Sequence, residues 1–169
     1  TVRTFAAERG DIGAKEALAT ALTACGHVEE ADAATEQAIA AGSRTPSLWV
    51  QYAQLVEKRG DIDAARNAID TAIELAVAAQ WNPMAVLYRT KARLSRNSTD
   101  FVGYAGAIVD AHMLDGNRGL TRQQLGNWQA PTEARVAAMQ RACADRKLTD
   151  DDARTLLTLL RETMGEGTE

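Results

Sequence analysis

Arg89, Arg93 and Arg96 stand at i, i+4 and i+7, a spacing that sets three guanidinium groups along one helical face. A guanidinium grips a carboxylate or phosphate bidentately, so this face is a candidate anion-binding surface, although the same spacing also suits a plain solvated basic face. Asp150, Asp151 and Asp152 are a second charged cluster. Consecutive helical residues diverge by about 100°, so three in a row do not converge on one ion, and acidic residues at a helix start complement its dipole. His27 falls in a predicted turn and His112 near a helix C-terminus, where positive charge is favourable. Neither is surrounded by Cys or His at metal-ligand spacing. Cys25 and Cys143 lie far apart without CxxC spacing, which reads as two small apolar fillers rather than a disulfide or zinc framework. No GxSxG, GxxxxGK or helix-opening GxGxxG is present. These residues therefore give no catalytic group, no metal site and no cofactor, and the chain is expected not to be an enzyme.

The elements that must position such side chains read as helices. In residues 47–75, Trp49, Tyr52, Ala53 and Val56 repeat at helical spacing. Thr45 is placed to cap that helix and Pro46 suits its first turn. Gly60 can supply the backbone conformation that ends it, and Asp61 can cap a second helix with Ala65, Ala68, Ile69, Ala72 and Ile73 on one face. Alanine at a helix crossing lets two backbones approach closely. A second copy of this pattern lies upstream: Gly26, Ala31, Ala38 and Ile39 recur as Gly60, Ala65, Ala72 and Ile73, a period of 34 residues.

An aromatic, a large-then-small pair, an apolar residue, a Gly-Asp turn and two alanines stand here as Trp49, Tyr52-Ala53, Val56, Gly60-Asp61, Ala65 and Ala72. This segment resembles the tetratricopeptide repeat (TPR) family. The upstream copy fits at Leu18-Ala19, Leu22, Gly26, Ala31 and Ala38, with Lys15 where the aromatic is expected and His27 for the turn Asp; the clear resemblance covers residues 12–75. It implies a right-handed stack of antiparallel hairpins whose first helices line a concave groove for an extended peptide or partner helix. Carried over, the groove positions are Glu16, Thr20, Thr23, Val50, Gln51, Gln54, Glu57 and Lys58. In one subtype Lys, Asn and Arg clamp a chaperone carboxylate; here Glu16, Thr20 and Gln51 hold the matching places, and Glu16 has the wrong charge for that task.

The rest of the chain extends the pattern less regularly. The Gly10-Asp11-Ile12 triplet looks like Gly60-Asp61-Ile62, so a turn is expected there. Two registers are open: residues from Ile12 onward are the first helix of the Gly26 repeat, or the second helix of a truncated earlier one. The Leu18, Ala19 and Leu22 face favours the first. The Arg-Gly-Asp triplets at 9–11 and 59–61 read as repeat turns, not adhesion motifs. Asn82 and Pro83 suit the start of a helix over Met84–Ser95, and Ser98 is placed to cap another with Phe101, Tyr104, Ala105, Ile108 and Ala111 inward, ending at Asp115-Gly116. Residues 115–131 read as loop with a possible short helix, where Thr121 and Gln124 have capping-box spacing. Residues 132–165 read as a hairpin that caps the array, and the tail 166–169 as disordered.

The fold class expected is all-α: a TPR-like α-solenoid over residues 1–114, the loop at 115–131 and the terminal hairpin at 132–165. Abundant alanine, 5% aromatics and three prolines favour helix over sheet. The net charge of −4 gives no overall electrostatic case for nucleic acid. No apolar run is long enough to span a bilayer. Thr1 is not an initiator Met, which fits a processed chain or a piece of a longer protein, cytoplasmic or periplasmic. The expected function is a non-enzymatic adaptor binding a protein or peptide partner. Two alternatives are a recruitment portion of a larger enzyme or of a secretion or envelope assembly, and a self-associating scaffold in which Trp81 and Trp128, placed in predicted loops, mark contact surfaces of a homo-oligomer.

Overall fold

The computed structural model describes residues 2–80 and 84–165, with side chains over 10–80 and 84–165. Among the described residues the protein is all-helical, with nine α-helices and no strand: α1 (Val2–Cys25), α2 (Val28–Ala40), α3 (Pro46–Lys58), α4 (Ile62–Ala78), α5 (Met84–Ser95), α6 (Phe101–Asp115), α7 (Arg118–Gly126), α8 (Thr132–Asp145) and α9 (Asp150–Thr163). The chain divides into two compact units, residues 1–81 and 82–169.

In the first unit α1 folds back on α2, α2 meets α3, and α3 folds back on α4. Both hairpin turns pass through glycine at positive φ, Gly26 at 77° and Gly60 at 87°, where a side chain would be strained. After Gly60, the Asp61 carboxylate accepts from the Ala64 amide at 2.9 Å and caps α4. Ala65, Ala68 and Ala72 are buried with Ile69 and Ile73, so the small residues do sit where α4 packs. Ala19, Ala34, Ala38 and Leu48 form a second small core between α1, α2 and α3.

Two local expectations are corrected. Thr45 flanks α3 without capping it; its hydroxyl donates to Glu16 instead, at 3.0 Å. No turn forms at Gly10-Asp11, because α1 runs unbroken for 24 residues through both. An i,i+4 ion pair from Lys15 to Asp11, 2.8 Å long, spans the place where the break was expected. Residues from Ile12 onward thus belong to the helix that precedes the Gly26 turn.

In the second unit α5 folds back on α6, α6 packs against α7 and α8, and α9 closes against α7 and α8. One core joins them: Tyr104, Ile108 and Val109 of α6, Leu125 of α7, Met139 and Ala142 of α8, and Leu156, Leu159 and Leu160 of α9. Helix α6 ends at Gly116 in the left-handed conformation. It begins two residues later than Ser98 suggested, with Asp100 accepting from the Gly103 amide at 2.8 Å. Thr121 is no cap: α7 starts at Arg118, Asn117 caps it by accepting from Leu120, and Thr121 is buried within it. Asn82, Pro83 and the tail 166–169 lie outside the described residues.

Candidate binding clefts

The eight groove positions of the first unit divide by what their side chains touch. Thr23 at the end of α1 and Gln51, Gln54 and Lys58 on α3 line one cleft of about 160 Å³, closed on its other side by Ala31, Asp32 and Thr35 of α2. The i, i+3 and i+7 spacing of the three α3 residues puts them on one face. The Gln51 Oε1 atom is buried with no hydrogen-bond partner among the described residues, an arrangement that leaves an acceptor unsatisfied unless something enters. Thr20 and Thr23 donate their hydroxyls to the carbonyls of Glu16 and Ala19, at 2.9 and 2.8 Å, so they keep only acceptor capacity. Glu16 braces the 43–45 loop, accepting from the hydroxyls of Ser43 and Thr45. Val50 and Glu57 are half-buried on α3 and lie outside this cleft.

Neither a scan of the chain against protein-family models nor a search of curated proteins returns a match. Function has to be read from the geometry.

The arginine face of α5 lies in the second unit, where Arg89, Arg93 and Arg96 all line a cleft of about 440 Å³ between α5 and α7. Its apolar wall includes Val86 and Leu120, 58% and 43% exposed. The three arginines have different roles. Arg89 is only 11% exposed and is held from all sides. Its Nε and Nη2 donate to the two Asp115 carboxylate oxygens at 3.1 and 2.8 Å. Nη1 donates to Gln124 Oε1 at 2.8 Å and Nη2 also to Thr121 Oγ1 at 3.0 Å. Gln124 returns a bond from its amide nitrogen to the Arg89 carbonyl at 2.9 Å. Arg89 is therefore the brace between α5 and α7, with its guanidinium turned to its own chain. Arg93 and Arg96 are exposed.

The groups around Arg89 carry its field. Burial pushes the Asp115 carboxyl up, but hydrogen bonds from Arg89 and the Asn117 amide, with the Arg89 charge, outweigh it and hold that carboxyl below 3.8. His112 Nδ1 lies 2.9 Å from Thr121 Oγ1. Since that hydroxyl already accepts from Arg89, it donates to an unprotonated Nδ1 in the assignment that satisfies both. Burial, then the Arg89 charge, lower the His112 pKa from 6.5. The helix C-terminus was expected to favour a positive charge there; burial and a neighbouring cation reverse it. Sequence reading missed Asn117, Thr121 and Gln124 as partners of Arg89. Thr121 and Gln124 read in sequence as a capping-box pair, which hid their part in holding Arg89.

Trp128 corrects another expectation. It is 1% exposed and stacks on Tyr104 with ring centroids 4.8 Å apart, so it is a core residue and no contact surface. Trp81 lies outside the described residues. Cys143 is buried, with burial pushing its thiol up, whereas Cys25 is exposed and fills no core. Thr149 Oγ1 accepts from the Asp152 amide at 3.2 Å and donates to its carboxylate at 2.7 Å, and Asp151 pairs with Arg154. Thr149 is thus the cap of α9, and the acidic run fills its first turn. Among the described residues no three His, Cys, Asp or Glu side chains gather to hold a metal ion, and no described helix is long and apolar enough to cross a membrane.

Proposed function

We propose that this protein is a non-enzymatic binding module of the tetratricopeptide type, its hairpins forming a solenoid that holds a peptide or partner helix. What supports the reading is the convergence of Thr23, Gln51, Gln54 and Lys58, expected on sequence grounds, upon one cleft of the first unit. Their chemistry suits a partner backbone: the glutamines offer both donors and acceptors, the threonine keeps an acceptor, and Lys58 selects for an acidic neighbour. Gln51 Oε1, buried and unpartnered, is placed to accept from a peptide N–H. The hairpins supply the frame, with glycine turns at 26 and 60 repeating the same geometry.

The test is a selection of peptides from a displayed library against the whole protein, followed by calorimetry. Peptides that bind should lose at least about tenfold in affinity, some 1.4 kcal/mol, with Gln54→Ala plus Lys58→Glu. They should bind unchanged to Lys147→Glu, a charge reversal outside the cleft. Equal binding to all three proteins would remove the cleft from recognition and this reading with it.

A further inference from the structure

A second cleft of the 82–169 unit differs from the others in chemistry. It has a volume of about 550 Å³ and lies where the end of α5 faces the segment linking α7 to α8. Arg96 and Asn97 come from the α5 end, Asn127, Trp128 and Gln129 from the linking segment, and Arg135 from α8. Every one of these side chains has an N–H to donate, and none of the lining residues is a carboxylate.

Three observations show that this donor set is not consumed internally. Arg96 makes no hydrogen bond or ion pair with the described residues, whereas Arg89, seven residues earlier on the same helix, is surrounded by them. Arg135 donates Nε to the Ala130 carbonyl at 2.7 Å, a bond that fixes the side chain while leaving both terminal nitrogens for another acceptor. Trp128, 1% exposed, keeps its indole N–H buried with no acceptor among the described residues. A buried donor without a partner forfeits its hydration with nothing in return, and native structures seldom leave one without a reason. Both guanidinium charges also act on the neighbouring Tyr104 hydroxyl: burial dominates there and leaves its pKa raised to about 12, with Arg96 and Arg135 opposing it.

We propose that this cleft binds an oxyanion, the carboxylate or phosphoryl group of a ligand, gripped by Arg96 and Arg135 and accepting from the Trp128 indole N–H directly or through one ordered water. Two guanidinium groups without a carboxylate between them match an anion in charge and in fork geometry. An anion also meets the one buried donor that the fold leaves over. The site is separate from the cleft proposed for peptide recognition and stands or falls independently of it.

The experiment is a titration of the ¹⁵N-labelled whole protein with inorganic phosphate and, separately, with succinate, at constant ionic strength set by chloride. The readout is the indole N–H resonance of Trp128, assigned by its loss in Trp128→Phe. Trp49 is the internal control, because its indole N–H already donates to the Ser43 carbonyl at 2.8 Å. The Trp128 signal should move along a saturating curve while that of Trp49 stays still. Arg96→Gln should weaken binding at least about tenfold; this variant breaks no internal bond, so it keeps the test clear of unfolding. Saturation by phosphate alone assigns a phosphoryl ligand, by succinate alone a carboxylate ligand, and by both a general oxyanion site. A Trp128 signal that moves with neither anion, or that saturates equally in Arg96→Gln, overturns the proposal.

Discussion

Replacing Arg89 with methionine should destabilise the 82–169 unit by about 2–4 kcal/mol, and the figure follows from how its partners are buried. An exposed ion pair contributes about 0–1 kcal/mol, while breaking a buried one costs about 3–5. The Arg89–Asp115 pair is 11% and 24% exposed on its two side chains, nearer the buried limit but with water at the carboxylate. Methionine keeps the aliphatic stem and removes the fork. Asp115 loses two bonds and Gln124 Oε1 and Thr121 Oγ1 lose one each; the Thr121 hydroxyl, wholly buried, has no water to turn to. Urea unfolding followed by far-UV circular dichroism measures this as a fall in midpoint at constant slope. Arg89→Lys should recover only part of the loss, since an ammonium cannot reach both carboxylate oxygens and Gln124 together. A double-mutant cycle with Asp115→Asn should give a coupling of about 1–3 kcal/mol. If Arg89→Met unfolds within about 0.5 kcal/mol of wild type, as an ordinary surface change does, the guanidinium is held no better than by water and the brace does not exist.

His112 gives a pH signature of the same network. Its folded pKa is below 6.5, so between the two values the unfolded chain binds the extra proton. The stability it protects is whole above 6.5 and is lost as pH falls through that window. Wild type should lose more stability than His112→Gln between about pH 7.5 and 5.5, and parallel profiles would refute the assignment. Asp115 acts separately, its contribution disappearing only as pH falls below 3.8. Thiol titration with an aromatic disulfide reagent should label Cys25 at once and Cys143 only after denaturant is added, because one is exposed and the other buried with a raised pKa; two fast thiols would place Cys143 outside the core.

What the sequence made legible was whatever is written locally. The Gly60-Asp61 turn needs only a positive φ and a carboxylate three residues before a free amide, and both are visible in the order of residues. The alanine stripe of α4 is likewise a one-helix pattern. Gly10-Asp11 misled because the same two letters occur inside a helix when the chain on either side continues it. A glycine in a helix costs about 1 kcal/mol, which α1 outweighs over its length. Trp128 misled for a different reason. Its segment lacks helical periodicity, yet the ring is taken up by Tyr104, which lies on α6. A burial fixed by tertiary packing leaves no mark in the local sequence.

The α5 arginines show where spacing stops and packing takes over. Residues at i and i+7 share a helical face, and by that rule Arg89 and Arg96 are equivalent. The difference comes from what stands opposite. Arg89 faces α7 and the α6 terminus, where Asp115, Thr121 and Gln124 saturate it. Arg96 has passed the end of α5 and faces a linking segment with side-chain donors and no acid. A guanidinium whose donors are engaged can hold a fold together but has little left to give a ligand; one without partners is weakly hydrated for a cation and available to an anion. The two positions should therefore separate cleanly by experiment. Arg89 variants should change stability and leave anion binding per folded molecule intact, and Arg96 variants should do the reverse. A single arginine change that altered both together would mean that the brace and the anion cleft are one device.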